Sequence, residues 1–232
     1  MCISILPNMA MEAASSATTG QRSVSQMNQK GEAIYRQSIL TNEEFTIVQK
    51  ELSALTNHLN DETASTVAVH RQGARLSSSN SATYKILESG SLLEYVRKVS
   101  GDQSMVLSTN LPVEVRLYEK VGASMAWHED DVLYDPPQIE AVITIENNSD
   151  CVTMWKDGER LLSRETDPNS VLLLKAGGPL HCVTSLKRGR RLILKCAYRT
   201  GNATFQEGIH KETFGASKSS KGKKGKKQKS KR

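Results

Sequence analysis

Three residues of metal-binding types stand at spacings that could bring them together in a sheet. His128 and Asp130 lie two positions apart at the end of a predicted strand, and side chains at i and i+2 of a strand share a face. His181 begins another predicted strand, after the turn at 177–179. Two imidazoles and one carboxylate form the facial triad that holds non-haem Fe(II) and leaves positions open for a bidentate co-substrate and O₂. We therefore predict an iron site formed by His128, Asp130 and His181.

Further spacings strengthen this hypothesis, because a His-x-Asp pair alone is also what a surface histidine beside solvated acids would show. Arg191 follows His181 by ten positions, and Tyr118 precedes His128 by ten. A guanidinium on the next strand can bind the distal carboxylate of 2-oxoglutarate through two hydrogen bonds, and a tyrosine hydroxyl can add a neutral donor. The combination indicates a site for Fe(II) and 2-oxoglutarate rather than for an unrelated metal.

Arg190 is the alternative to Arg191 as the 2-oxoglutarate clamp. We prefer Arg191, because every second residue after it is apolar and would form one face of a strand, packed under the helices. This leaves Arg191 on the opposite face, toward a cavity. The residues of the apolar face are Leu192, Leu194, Cys196 and Tyr198.

Short β-rich runs separated by turn residues dominate the chain from Met105 onward. They follow the predicted helices instead of alternating with them, which excludes a βαβ fold and favours a mainly β fold with supporting helices (α+β). The architecture we predict is a double-stranded β-helix, or jelly roll. The predicted strands are 105–107, 113–119, 125–128, 139–145, 151–155, 160–163, 170–175, 181–185 and 191–199.

Two helices are predicted before these strands. Thr41 and Glu44 have the spacing of a capping box, and apolar residues then recur at three and four positions, which predicts a helix over 42–59. A second helix should cover 91–99. Between them, 66–76 should form a strand or hairpin that leads into the turn-rich segment 77–81.

The charge of the chain is concentrated at one end. The net charge is +6, but residues 217–232 carry nine Lys/Arg and no acid, so the 22 other basic residues are outnumbered by 25 acidic ones. We predict a disordered leader over 1–31, one dioxygenase domain over 32–203 and a disordered lysine-rich tail over 204–232. Such a tail is either a simple solvated extension, a phosphate-binding segment that would help the protein bind RNA or single-stranded DNA, or a nuclear import signal.

Composition excludes several classes of protein. The chain is 38% hydrophobic and 24% charged, which is not typical of collagen, coiled coils or disulfide-dense scaffolds. No apolar run approaches the roughly 18 to 20 residues that cross a bilayer, so no membrane association is expected. The four cysteines show no CxxC spacing, and the start has no basic segment typical of a secretory signal. We therefore expect an intracellular protein, nuclear or cytoplasmic.

The sequence resembles the 2-oxoglutarate-dependent dioxygenases, and most closely the FTO branch of the AlkB-type nucleic-acid demethylases. Gly122-Ala-Ser-Met-Ala-Trp-His-Glu-Asp-Asp131 is similar to the MAVSWHHDE segment of that branch, and Leu180-His-Cys-Val183 is similar to its HCV. Arg75 and Ala82-Thr-Tyr-Lys-Ile-Leu87 resemble the arginine and the CTYKYL element of its nucleotide-recognition lid. The resemblance covers roughly residues 32–198.

This resemblance implies oxidative demethylation of an N-methylated base, of the N6-methyladenine type, in RNA or DNA. It implies that Asp131 reads an exocyclic nitrogen of the base, and that Arg75 and Tyr84 belong to the lid. For each of the three a structural role is a comparably strong alternative: a solvated acid, a surface charge and a half-buried aromatic. The second lid tyrosine of the family is Ile86 here, and the family's helical domain after the barrel has no counterpart in the printed sequence.

Two other functions stay open. A protein hydroxylase of the prolyl type has nearly the same spacings of iron ligands, preceding tyrosine and Gly-x-Arg, although the lid element favours the demethylase. A non-catalytic jelly-roll module could keep the fold and bind RNA through the basic tail, although the intact ligand positions count against it.

Overall fold

The computed structural model describes residues 33–63, 65–77 and 80–206. The predicted leader over 1–31 lies outside the described residues, as does the lysine tail beyond Gln206. In the described part no helix is both long and apolar enough to cross a membrane.

Fifteen strands and three α-helices make up this part of the chain. The helices are α1 (Asn42–Leu55), α2 (Ala82–Ser89) and α3 (Ser91–Ser100), with a 3₁₀ turn at Thr56–His58. The strands are β1 (Ala33–Gln37), β2 (Asn60–Asp61), β3 (Ala68–Val69), β4 (Gln72–Arg75), β5 (Val106–Leu107), β6 (Glu114–Tyr118), β7 (Ser124–His128), β8 (Tyr134–Asp135), β9 (Ile139–Asn147), β10 (Thr153–Asp157), β11 (Arg160–Arg164), β12 (Ser170–Lys175), β13 (His181–Val183), β14 (Arg191–Arg199) and β15 (Thr204–Phe205).

The helix predictions are confirmed for α1 and α3. Thr41 and Glu44 form the predicted capping box at the start of α1, and α1 ends at Leu55, where the chain tightens into the 3₁₀ turn. At the end of α3, Gly101 adopts the left-handed conformation (φ 71°) that glycine permits without strain. Helix α2 was missed. It has only eight residues, and its start is capped by Ser81, which accepts from the backbone N–H of Tyr84.

Two antiparallel sheets form the barrel. The major sheet has the strand order β1-β12-β9-β14-β6-β4-β2, with β5 beside β14, and the minor sheet has the order β11-β10-β13-β7-β3. A separate pair, β15-β8, extends the described structure to Gln206. Buried side chains of both sheets pack together between them, as in other sandwiches of two sheets. The predicted mainly β jelly roll with supporting helices is confirmed.

The helices cover one face of the major sheet, where the largest apolar cluster lies. Strand β14 contributes the predicted alternating face to this cluster, and the Tyr198 hydroxyl donates to the carbonyl of Leu87 in α2 at 2.9 Å. Because alternate residues of a strand point to opposite sides, the intervening residues of β14 face the minor sheet. The β14 residues in the apolar cluster are Leu192, Leu194, Cys196 and Tyr198.

Candidate metal centre

The three predicted metal ligands lie together at the end of the barrel. His128, Asp130 and His181 each offer a ligand atom, and these atoms lie within 4.8 Å of one another. The imidazole rings of the two histidines are 4.1 Å apart between centroids, and His181 Nε2 is 3.7 Å from Asp130 Oδ2. This group could hold a metal ion with the ligand types of a facial triad.

Strand pairing produces this arrangement. His128 ends β7 and pairs directly with His181, the first residue of β13. A β-bulge in β7 inserts an extra residue between His128 and Met125, so that both side chains line the interior of the barrel. Bulges of this kind redirect side chains near functional sites. Asp130 follows β7 by two residues and is fixed by a hydrogen bond from Gly177 N–H to its carbonyl, at 2.9 Å.

Backbone contacts orient both imidazoles. His128 Nδ1 lies 2.9 Å from the carbonyl of Ala126, and His181 Nδ1 lies 3.1 Å from that of Pro179. A carbonyl can only accept, so each Nδ1 carries the proton and each Nε2 keeps a free lone pair. Burial and the neighbouring His181 lower the pKa of His128 to about 4. Burial also lowers the pKa of His181. Both rings are therefore neutral near pH 7, as metal ligands must be.

The carboxylate of Asp130 uses only one of its oxygens within the protein. Oδ1 accepts from Lys195 Nζ at 2.6 Å, whereas Oδ2 is buried and has no hydrogen-bond partner among the described residues. Burial by itself would raise the pKa of Asp130, but the nearby charge of Lys195 and the contact with His181 outweigh it and hold that pKa below its usual value. An ionised oxygen without a partner, facing two Nε2 atoms, fits a bound divalent metal ion.

Two cavities meet at these residues. The inner cavity, of about 20 Å³, reaches Tyr118, Thr153 and Arg191. The outer cavity, of about 300 Å³, opens past His128 and Asp130 toward the surface. Five residues line both cavities: Arg71, Arg116, Met125, His128 and Lys195. The three candidate ligands thus stand where a small molecule in the inner cavity would meet a larger one in the outer cavity.

The inner cavity contains polar atoms without partners. Arg191 is 1% exposed, its Nε and Nη1 have no hydrogen-bond partner in the described part of the chain, and the same holds for Thr153 Oγ1. The guanidinium lies over the Tyr118 ring, 5.7 Å from its centroid. Arg71 donates to the Tyr118 hydroxyl at 3.0 Å and forms an ion pair with Glu62. A buried guanidinium that lacks partners is suited to bind an anion.

Arg190 points elsewhere. Its Nε lies 3.6 Å from Glu146 Oε2, and its side chain is partly exposed. The turn before it requires Gly189, because a Cβ there would lie 2.3 Å from the carbonyl oxygen of Asn148. This turn sets the start of β14 so that Arg191, and not Arg190, lines the inner cavity.

The residues predicted to contact substrate are not all at the cavity. Asp131 lines the outer cavity. Arg75 is not in the lining, but its Nε lies 3.9 Å from Glu114 Oε1, and Glu114 lines that cavity. Tyr84 is 7% exposed and packs in the apolar cluster under the helices. The structure therefore gives Tyr84 a position in the core, away from the cavity lining, because α2 turns this side chain toward the major sheet.

Sequence reasoning missed several charged residues of the cavity walls. Lys195 shares a face of β14 with Arg191, so the same alternation that selected Arg191 could have selected it. Glu114 and Arg116 on β6 form an ion pair opposite β14. Glu140 on β9 lies 3.5 Å from Lys195 Nζ. Their roles depend on cross-strand neighbours, which no motif in the chain announces.

Comparisons with known proteins give matches only at the level of structure. No protein-family model matches the sequence, and no curated protein does either. Many solved structures do match. A prolyl-4-hydroxylase of Pseudomonas putida has 14% identity and a TM-score of 0.57, covering 76% of this chain and 96% of its own. The epimerase SnoN of nogalamycin biosynthesis, described as non-haem and α-ketoglutarate dependent, has 15% identity and a TM-score of 0.62, covering 82% and 90%.

A third match carries a peptide. It is a prolyl hydroxylase of Trichoplax adhaerens in complex with a peptide of the hypoxia-inducible factor oxygen degradation domain, with 14% identity, a TM-score of 0.57, and coverage of 75% of this chain and 86% of that one. The chain has the fold of these oxygenases. At identities this low the likeness concerns the fold, and the chemistry of this chain must be argued from its own side chains.

Proposed function

We propose that this protein is a dioxygenase dependent on Fe(II) and 2-oxoglutarate. One observation carries the proposal. The unpartnered Oδ2 of Asp130 faces His128 and His181, and the two histidines line the same inner cavity as the unpartnered guanidinium of Arg191. A metal ion bound by the first set of buried polar atoms and a small anion bound by the second would satisfy both.

Each residue then has a defined role. The Nε2 atoms of His128 and His181 and Oδ2 of Asp130 hold the iron. Arg191 binds the distal carboxylate of 2-oxoglutarate, and the hydroxyls of Tyr118 and Thr153 add neutral hydrogen bonds. The Tyr118 hydroxyl accepts from Arg71, so its own proton, whose nearest acceptor is Met125 Sδ at 3.9 Å, can turn to a stronger one. Bound Fe(II) would supply the activation of O₂ that oxidises 2-oxoglutarate to succinate and CO₂ and oxidises a substrate C–H bond.

The substrate we propose is an N-methylated base of RNA or DNA, with N6-methyladenine as the type. Hydroxylation of the methyl group gives a hemiaminal that releases formaldehyde. The sequence resemblance supports this, and so does the presence of Asp131 in the lining of the outer cavity. Arg75 could act on the same cavity through Glu114. Nucleic acid is therefore the partner we propose, bound with the help of the basic tail, in the nucleus or cytoplasm.

A peptide hydroxylase of the prolyl type is the second candidate. Two of the similar structures are prolyl hydroxylases, one with a peptide bound. The position of Tyr84 in the core removes one of the contacts on which the nucleotide lid depends. The two candidates share iron, 2-oxoglutarate and all of the ligands named above, and they differ only in what enters the outer cavity.

Succinate formation is the first test. Purified full-length protein is incubated with Fe(II), 2-oxoglutarate and O₂, and the succinate is measured with no further substrate, with an RNA oligonucleotide carrying N6-methyladenine, and with proline-containing peptides. We expect succinate that depends on 2-oxoglutarate and rises with the methylated RNA, together with loss of the methyl group measured by mass spectrometry of nucleosides.

The variant Asp130→Ala is the matched control, with His70→Ala as the control for an exposed histidine away from the site. We expect Asp130→Ala to lose nearly all turnover, because it removes one of the three candidate metal ligands, and His70→Ala to keep it. A response to peptides but not to RNA would contradict the demethylase and support the prolyl-type hydroxylase. No succinate under any condition would contradict the dioxygenase and favour a non-catalytic RNA-binding module.

A further inference from the structure

Lys195 is the closest cationic neighbour of the candidate metal ligands. It lies on β14, on the same face as Arg191, and lines both cavities. Its ammonium group donates to Asp130 Oδ1 at 2.6 Å and lies 3.5 Å from Glu140 Oε2. Its side chain is 19% exposed, so this is a mostly buried contact between a lysine and a carboxylate that the proposed function assigns to iron.

Glu140 is itself held in place. Gln138 Nε2 donates to Glu140 Oε1 at 3.0 Å and to the carbonyl of Asp131 at 2.8 Å. Gln138 Oε1 accepts from Leu133 N–H at 3.1 Å. The buried Gln138 therefore joins the loop that follows the metal ligand to the carboxylate that anchors Lys195. Gln138, Glu140, Lys195 and Asp130 form one connected chain of hydrogen bonds and ion pairs, which we call the Lys195 chain.

Charge balance alone does not explain the Lys195 chain. A cation beside a metal site opposes metal binding by repulsion, and Glu140 offsets this with one negative charge. The two together add no net charge to the site. Two apolar residues of similar size would give the same net charge without the cost of burying an ion pair. What Lys195 adds is direction, since it occupies Oδ1 of Asp130 and leaves Oδ2 as the oxygen that faces the histidines.

We propose that Lys195, anchored by Glu140, is a positioning residue that presents Asp130 to the metal through a single oxygen. The inference rests on the proposed function for the identity of the metal. With Oδ1 occupied, the carboxylate binds the metal by one oxygen only, which keeps a further coordination position open for the other ligands of the metal. The site is then ordered before the metal arrives, because Asp130 is already held in its binding orientation.

Metal affinity of the apoprotein tests this without reference to turnover. Mn(II) binding is measured by electron paramagnetic resonance, without O₂ or 2-oxoglutarate, for wild type and for Lys195→Met, Lys195→Arg, Glu140→Gln and the double variant Lys195→Met/Glu140→Gln. Lys156→Met, an exposed lysine on β10, is the matched control. Circular dichroism establishes that each variant is folded, and Lys195→Leu, which likewise lacks a donor, replaces Lys195→Met if that variant does not fold.

We expect Lys195→Met to raise the Mn(II) dissociation constant by about 10- to 100-fold, the range typical of residues that orient a metal ligand. Lys195→Arg keeps a donor to Oδ1 and should stay within about threefold of wild type. The double variant has the net charge of wild type but lacks the donor, so it should bind as weakly as Lys195→Met.

Two outcomes would overturn the inference. Wild-type affinity in Lys195→Met would show that Lys195 does not orient Asp130. Recovery of wild-type affinity in the double variant would show that Lys195 and Glu140 affect metal binding only through their charges. Failure of the proposed function is a separate result, since wild-type protein that binds Mn(II) through Asp130 but forms no succinate would contradict the dioxygenase and leave the role of Lys195 to be decided by these same affinities.

Discussion

The two faces of the major sheet are built from opposite kinds of residue. The face under the helices is apolar, with Leu192, Leu194 and their neighbours fully buried. The face toward the minor sheet carries charged side chains that are almost as deeply buried, among them Glu140 and Arg191. Burying a charge costs free energy unless it is paired or binds a ligand. Both faces contribute apolar side chains to the core, but only the face toward the minor sheet, which we call the binding face, also carries buried charges of the kind that a bound ligand would offset.

The binding face is itself divided by charge. The lining of the inner cavity includes four basic side chains and no carboxylate, whereas five carboxylates line the outer cavity beside three basic groups. Because Arg71, Arg116 and Lys195 are paired with carboxylates, the charge that favours an anionic group in the inner cavity, such as one carboxylate of 2-oxoglutarate, is that of Arg191. The basic residues of the inner cavity are Arg71, Arg116, Arg191 and Lys195.

The largest effect is expected from breaking the apolar face. Leu194→Ala removes a fully buried side chain next to Lys195, and we expect the free energy of unfolding to fall by roughly 2 to 5 kcal/mol. The Mn(II) affinity of the folded protein should stay within about twofold of wild type, because Leu194 faces the helices. Urea unfolding and Mn(II) titration measure the two quantities. A large loss of metal affinity in folded Leu194→Ala would show that the two faces are not independent.

The sequence predicted the apolar face of the major sheet better than it predicted the charged face. Alternation along β14 correctly assigned Leu192 and Leu194 to the helix-covered face and Arg191 to the cavity, because a strand has a fixed period of two. His128 and Asp130 also lie together as predicted, but Asp130 follows the end of β7 and is held by the contact with Gly177 and not by strand alternation. The same alternation also places Lys195 on the cavity side, but its contact with Glu140 could not be predicted, because that contact depends on the register between β9 and β14, which is fixed by the whole sheet and not by local spacing.

Tyr84 shows the limit of motif reasoning in the other direction. Its motif, taken with Arg75, suggested a lid over the substrate, yet the side chain packs in the core. A tyrosine in a short motif carries no information about which side of its helix is buried. The apolar residues around it give that information, and Leu87 at i+3 packs in the same cluster.

We expect acid to lower the free energy of unfolding of the apoprotein, because His128 is buried in its neutral form. The pKa of His128 is about 4 in the folded chain, below its usual 6.5, because of burial and the nearby His181. Between these values the unfolded chain binds more protons than the folded one. The contribution of His128 to the free energy of unfolding is therefore fully present above pH 6.5. As the pH falls to about 4, the free energy of unfolding drops by about 3 kcal/mol. Thermal unfolding of apoprotein from pH 7 to 4 measures this loss.

The variant His128→Asn isolates this effect, since it cannot titrate in that range. We expect the stability of His128→Asn to fall less steeply between pH 6.5 and 4 than that of wild type. Equal slopes would mean that His128 is not held neutral in the folded protein, and the ligand would then be no more prepared for metal than an exposed histidine.

The adjacent residues Arg190 and Arg191 allow the cavity side of β14 to be tested against its neighbouring position. Arg191→Met removes the unpartnered buried guanidinium, and the loss of a charged hydrogen-bonding partner should raise the dissociation constant of 2-oxoglutarate by about 100-fold. Mn(II) affinity should be unchanged, because Arg191 is not among the candidate metal ligands. Arg190→Met is the control and should stay within about twofold, since Arg190 contacts Glu146 instead. Calorimetry with the Mn(II)-loaded protein measures both. Equal losses in the two variants would contradict the assignment of the clamp.

The smallest effect is expected from the one inner-cavity hydroxyl on the facing sheet. Thr153 Oγ1 is buried without a partner among the described residues. A hydroxyl buried in this way lowers the free energy of unfolding, and a ligand that hydrogen-bonds to it offsets the loss. Thr153→Val keeps the shape of the side chain. We expect the free energy of unfolding of the apoprotein to rise, while the dissociation constant of 2-oxoglutarate increases about fivefold. A gain in stability of the apoprotein together with a loss of affinity for 2-oxoglutarate is what we expect on removing a hydroxyl that serves binding and not folding. A variant that is less stable, or that binds 2-oxoglutarate as well as wild type, would assign Thr153 to the core and leave Arg191 and Tyr118 as the protein's contacts to the carboxylate.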